Sequence, residues 1–178
     1  YIELIRMVGG VPVVIDTTEQ EHFKITAQKL AAAIPPKTKC MILNNPSNPT
    51  GMMYRRQELE EIARVCVEKD IYVISDEIYC NLVYDGEEFV SLPTLSPEIK
   101  ERTLLINGVS KSYAMTGWRI GYVAANPQVA KIISNYLSHC TGSPCTISQK
   151  AAAVAYSASQ ELVDTMRQAF ERRRNYMV

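Results

Sequence analysis

The chain has 178 residues, nearly half of them hydrophobic (47%), and its 19 basic and 19 acidic side chains cancel. That balance gives no support to a nucleic-acid or anionic-membrane partner, while the apolar content suffices for one sizeable α/β-type core. No apolar run reaches the ~20 residues of a membrane-spanning helix. Five cysteines at irregular spacings, none in a CxxC pair, argue against a zinc site or a disulfide framework and for a reducing, cytoplasmic setting.

In chain order, YIELIRMVGG reads as an amphipathic helix stopped by Gly9 and Gly10. Apolar runs follow at 11–16 (VPVVID), 40–44 (CMILN), 71–75 (IYVIS), 103–107 (TLLIN) and 120–125 (IGYVAA). Their length and β-branched content suit buried strands. Between the second and third, QELEEIARVCVEKD sets Leu59, Ile62, Ala63 and Cys66 on one helical face. Asn126 and Pro127 open a further helix as N-cap and first-turn proline. Ser157 and Gln160 form a candidate capping box before ELVDTMRQAF. The run Arg172, Arg173, Arg174 reads as a solvated helix face. Strand and helix alternating with few hairpin signals predict an α/β fold, a mostly parallel sheet with helices on both faces. No repeat or linker divides residues 1–178. The chain starts without methionine, at a helix, and breaks off in a helical pattern at ERRRNYMV, so the expectation is a piece of a longer protein.

In open parallel sheets ligands bind beyond the carboxyl ends of the strands. Three runs carry their unusual polar residues there: Asn45 and Asn48 after CMILN, Asp76, Glu77 and Tyr79 after IYVIS, and Ser110 and Lys111 after TLLIN. Taken singly, each has a plain structural reading. Asp76 could N-cap a helix starting at Glu77, Lys111 could face solvent, Asn48 suits a turn, and Tyr79 could be core. Taken together, they converge on one crevice. A lysine there can form a Schiff base when its amine is activated, and Arg119 offers a fork of donors suited to phosphate. An aspartate can hold a pyridinium nitrogen in its protonated form, and the set matches what pyridoxal 5'-phosphate requires of its host.

NNPSNPTG, SDEIYCNLVYDG and NGVSKSYAMTGWRIGY together resemble the fold-type I, pyridoxal-phosphate-dependent aminotransferases, in particular the bacterial aspartate aminotransferase branch. The resemblance runs from IRMVGG to the tail, and it implies an activity: ping-pong transfer of an amino group between an amino acid and a 2-oxo acid. By the same resemblance Lys111 holds the cofactor and shuttles the proton. Asp76 partners the pyridine nitrogen, Tyr79 and Asn48 bond the ring's 3'-oxygen, and Arg119 with Ser110 clamps the phosphate. Where the family's aspartate enzymes often carry a serine three residues before the lysine, this chain has Gly108. Residues 1–178 would be the central part of the large, cofactor-binding domain. The amino-terminal arm and the small domain, with its carboxylate-binding arginine, would lie outside. SHCTGSPCTISQ (138–149) resembles the stretch that reaches the neighbouring subunit's site, which implies a homodimer. The alternatives are a lyase or decarboxylase on the same lysine, or a non-catalytic α/β piece that binds no cofactor.

Overall fold

Leu59, Ile62, Ala63 and Cys66 fall at the i, i+3, i+4 and i+7 positions of one helical stripe. In the computed structural model, which describes residues 1–178, all four are buried on a helix, here α3, that spans Arg56–Glu68. This stripe builds the core. Leu43 and Val73 from two strands pack into the same cluster, joined by Leu30, Ile71, Val90, Leu92 and Ile99. The Glu58 side chain accepts a hydrogen bond from the Arg55 amide at the helix start, satisfying one of the donors that a helix N-terminus leaves unpaired.

Four strands form one sheet in the order β1-β2-β3-β4: β1 Cys40–Asn44, β2 Tyr72–Asp76, β3 Thr103–Gly108 and β4 Gly121–Ala124. β1 to β3 run parallel, and β4 returns antiparallel to β3. The other helices are α1 Ile2–Met7, α2 Ala27–Ala33, α4 Pro97–Arg102, α5 Pro127–Cys140, α6 Thr146–Ser157 and α7 Glu161–Met177. The expected mostly parallel α/β sheet is present, and Asn126 caps α5 as its sequence foretold, accepting from the Val129 amide at 2.9 Å. All five cysteines are free. No helix is long and apolar enough to cross a membrane.

Two readings need correction. VPVVID is not a strand: residues 11–16 pair with nothing, and Val11 and Val14 are 86% and 59% exposed. An apolar run becomes a strand only where a neighbour satisfies its backbone, and none in this chain lies beside it. Ser157 and Gln160 do not form a capping box. Ser157 ends α6, its hydroxyl donating back to the Ala153 carbonyl at 2.9 Å, and the Glu161 amide donates instead to the Ser159 hydroxyl. Serine bonds as readily to the preceding helical turn as to the next helix, so the spacing alone was ambiguous.

β1 and β4 are both edge strands, and α5 buries none of its side chains, leaving Ile132, Tyr136 and Leu137 largely exposed. Unpaired edges and bare apolar surface recruit other chains. The 178-residue chain purified alone should therefore self-associate in light scattering; a stable monomer would contradict this.

Candidate functional site

The parallel register sets Asn44 opposite Asp76, and Asp76 opposite Ile106, so the carboxyl ends of β1 and β2 finish level and β3 runs on past them from Ile106 to Gly108. Asn44 joins two of them. Its amide donates to the Asp76 carbonyl at 3.1 Å, and its Oδ1 accepts from the Asn48 backbone amide at 2.8 Å. Asn48 is thereby aimed at Tyr79, whose hydroxyl accepts from Asn48 Nδ2 at 3.1 Å. Above the Tyr79 ring lies the Lys111 amine, 5.7 Å from the ring centroid, within cation–π range. Asp76 ends β2 with its side chain in use on both oxygens. Oδ1 accepts from the Ile78 amide at 3.2 Å, and Oδ2 accepts from the Tyr1 hydroxyl. No helix begins at Glu77, so the N-cap reading of Asp76 is corrected to a turn-forming aspartate that also takes a side-chain donor.

Lys111, Ser110 and Arg119 share one excursion, residues 109–120, whose two ends are the paired Gly108 and Gly121. A Cβ at position 108 would sit 2.6 Å from the Ile120 carbonyl oxygen and 2.9 Å from the Gly121 Cα, contacts that a side chain cannot make. Glycine at 108 is thus explained by the close crossing of β3 and β4. Inside the excursion the Val109 amide donates to Ile120 and the Met115 amide to Val109, both at 3.3 Å. Thr116 links the other two residues: its hydroxyl donates to the Ser110 carbonyl at 3.0 Å, and its own carbonyl accepts from Arg119 Nη1 at 3.2 Å. Ala114 and Arg119 hold left-handed backbone, at φ 54° and 55°.

The structure thus brings Asn48, Tyr79 and Lys111 into direct contact, sets Asp76 beside them through Asn44, and ties Ser110 to Arg119 through Thr116. Two participants were not foreseen. Asn44 reads in sequence as the last residue of a strand, and Tyr1 lies 75 positions from its partner. Burial first, then the hydrogen bond to Asp76, holds the Tyr1 phenol above its ordinary range, so at neutral pH it is an uncharged donor. Two residues of the predicted crevice are structural. Asn45 is buried and accepts from the Tyr54 amide at 2.9 Å. Glu77 is buried too, accepting from the Ser75 hydroxyl at 2.9 Å and from the Leu92 amide at 3.1 Å.

A cleft of about 740 Å³ borders Asn48 and Tyr79 and extends away from Lys111 towards Tyr84 and Phe170. Its arginines are committed. Arg55 pairs with Glu87 at 2.7 Å, and Arg174 grips Asp85 at 2.6 and 2.7 Å while lying 5.1 Å from the Tyr84 ring. The arginine run is therefore not wholly a solvated face, because Arg174 turns inward. With both arginines paired, and Lys24 paired with Glu58, this cleft is a poor anion site, and the uncommitted chemistry lies at the strand ends.

The family model for aminotransferase class I and II matches residues 1–178. The chain is 51% identical over 175 residues to an aspartate aminotransferase of Geobacillus stearothermophilus, covering 98% of this chain and 44% of that protein. It is 47% identical over 175 residues to an asparagine–oxo-acid transaminase of Streptococcus mutans, again covering 98% and 44%. The crystal structure of the aspartate aminotransferase from Rhizobium meliloti superposes with a TM-score of 0.97 at 38% identity, covering all of this chain and 45% of that one. The chain thus spans less than half the length of the relatives it matches.

Burial raises the Glu77 carboxyl above its ordinary 4.5, with the hydrogen bonds from Ser91, Leu92 and Ser75 offsetting part of the effect. The unfolded chain ionises Glu77 first, so folded-state stability falls as pH rises from the ordinary value through the raised one. Glu77→Gln keeps an acceptor for Ser75 and Leu92 without the titration. In the full protein, its stability relative to wild type should improve across that window and then level off, as read by denaturant unfolding at a series of pH values.

Proposed function

This chain belongs to the aminotransferase class I and II family, and from that premise we propose that the whole protein moves an amino group between an amino acid and a 2-oxo acid. The mechanism is ping-pong, with pyridoxal 5'-phosphate as cofactor and residues 1–178 as the central part of its large domain. Aspartate is the proposed donor, in line with relatives named for it. The observation that carries the reading is the Lys111 amine lying 5.7 Å from the ring of Tyr79, itself hydrogen-bonded to Asn48, at the edge where Asp76 ends β2.

The donor set fits the cofactor's chemistry. An amine, a carboxylate, a phenol with an amide partner, and an arginine with a serine answer in turn to its aldehyde, ring nitrogen, ring oxygen and phosphate. When bound, pyridoxal phosphate supplies an electron-withdrawing ring that stabilises negative charge at the substrate's α carbon. The chain's residues supply the rest. Lys111 would hold the cofactor's aldehyde carbon and, once displaced by the substrate's amine, would be the base that moves the proton between the substrate's α carbon and that carbon, across the nitrogen between them. Asp76, aligned by the Ile78 amide and the Tyr1 hydroxyl, holds the proton on the ring nitrogen, where positive charge makes the ring a better acceptor. Tyr79 and Asn48 would bond the ring oxygen, and Arg119 with Ser110 would take the phosphate. A homodimer in the cytoplasm completes the proposal. It is supported by the exposure of nearly all of residues 138–149, which in a dimer would reach the neighbouring site, and by five free thiols.

Borohydride reduction of the loaded full protein should place the phosphopyridoxyl label on Lys111; a label mainly on Lys24, Lys37 or Lys150 would overturn the assignment. Lys111→Ala should abolish turnover without unfolding the protein. Asp76→Ala should retain cofactor yet slow the chemical step, each 1.4 kcal/mol of lost transition-state stabilisation costing about tenfold in rate. Tyr1→Phe removes one hydrogen bond to a charged group and should lower kcat by roughly tenfold with KM little changed.

A further inference from the structure

The excursion that carries Lys111 and Arg119 is gripped from outside by one aromatic side chain. Two residues past Lys111, on the outgoing limb, the Tyr113 ring meets Tyr156 of α6 edge-on, with centroids 5.1 Å apart and planes at 69°. Three residues past Arg119, on β4, the Tyr122 ring meets the same Tyr156 at 5.9 Å and 74°. Beyond α6, Gln160 Oε1 accepts from the Tyr113 hydroxyl at 3.2 Å. Tyr156 therefore ties the outgoing limb to β4 just past the excursion's return, and edge-to-face contacts are directional enough to fix how the rings sit.

We propose that Tyr156 is a positioning residue, whose ring sets the separation between Lys111 and Arg119. The inference rests on the function proposed above, in which these two residues hold opposite ends of one rigid molecule. A ligand with its aldehyde and phosphate at a fixed spacing accepts only one spacing of amine and guanidinium. The backbone bonds at the Gly108 and Gly121 crossing fix the base of the excursion. Thr116 ties Ser110 to Arg119 within it, and none of these bonds holds the Tyr113 side chain. Tyr156 supplies that restraint from α6, acting through Tyr113 and Tyr122.

The test uses the full protein loaded with pyridoxal phosphate. Tyr156→Phe keeps the ring, Tyr156→Leu keeps apolar volume without it, and Tyr156→Ala removes both. Three quantities are compared: the cofactor's Kd, the circular dichroism of the bound cofactor, and kcat against KM for the amino acid. The Phe variant should match wild type. The Leu and Ala variants should raise the cofactor's Kd and lower kcat, each by about tenfold or more, with weakened dichroism and little change in KM, as expected of a misplacement well under 1 Å. If Ala fails to fold, Leu carries the test. Ring-less variants with wild-type Kd, dichroism and kcat would overturn the inference and leave the proposed function standing. So would a Phe variant as impaired as Leu, which would assign the effect to the hydroxyl. A wild-type protein that binds no pyridoxal phosphate would overturn both.

Discussion

The contact on which the site depends is the crossing of β3 and β4 at Gly108 and Gly121. With a Cβ at 108 the strands could not approach as they do, and the excursion between them would open at its base. Closed, it returns the chain to where it left, so that a dozen irregular residues are held like a hairpin loop. The parallel strands supply the complementary half. Because β1 and β2 finish level, Asn44 can reach both Asp76 and Asn48, and the polar residues after three separate strands meet along one edge. The sheet fixes where these groups stand, and the glycine pair fixes how the lysine comes over them.

Much of this was legible in the residues. The apolar runs at 40–44, 71–75 and 103–107 mark their strands to within a residue, and the α3 stripe names the helical side of the core. Hydrophobic pattern reports whether a segment is buried, not what lies beside it. VPVVID has the composition of a strand and no neighbour here, and nothing in IGYVAA says that it runs antiparallel. The site divides in the same way. Residue types at strand ends nominate Asn48, Asp76, Tyr79 and Lys111 only as a set, since each taken singly has a plain structural reading. Tyr1 and Asn44 matter only through whom they touch, and those partners lie 75 and 32 positions away.

Charge is distributed to the same end. Lys24, Arg55 and Arg174 are each paired with a carboxylate around the large cleft. Pairs as open to solvent as Arg55 with Glu87 add little to stability, but together the three neutralise the wall of the cleft. They also tie elements together. Glu171 accepts from the Asp85 amide at 2.7 Å while Arg174 holds the Asp85 side chain, so α7 is fastened to the segment that follows Tyr79.

The left-handed backbone at Ala114 and Arg119 bears on how far the lysine motif can travel. A residue with a Cβ pays roughly 1–2 kcal/mol for that conformation, and it persists only where surroundings over-determine it. Here those surroundings are the Thr116 bonds, which lie within the motif, and the partner Gly121 of the glycine crossing with the tyrosines of α6 and β4, which lie outside it. GVSKSYAMTGWR moved into a foreign scaffold would carry its side chains but relax its shape. The motif is not a portable module; its conformation belongs to the neighbours it would leave behind.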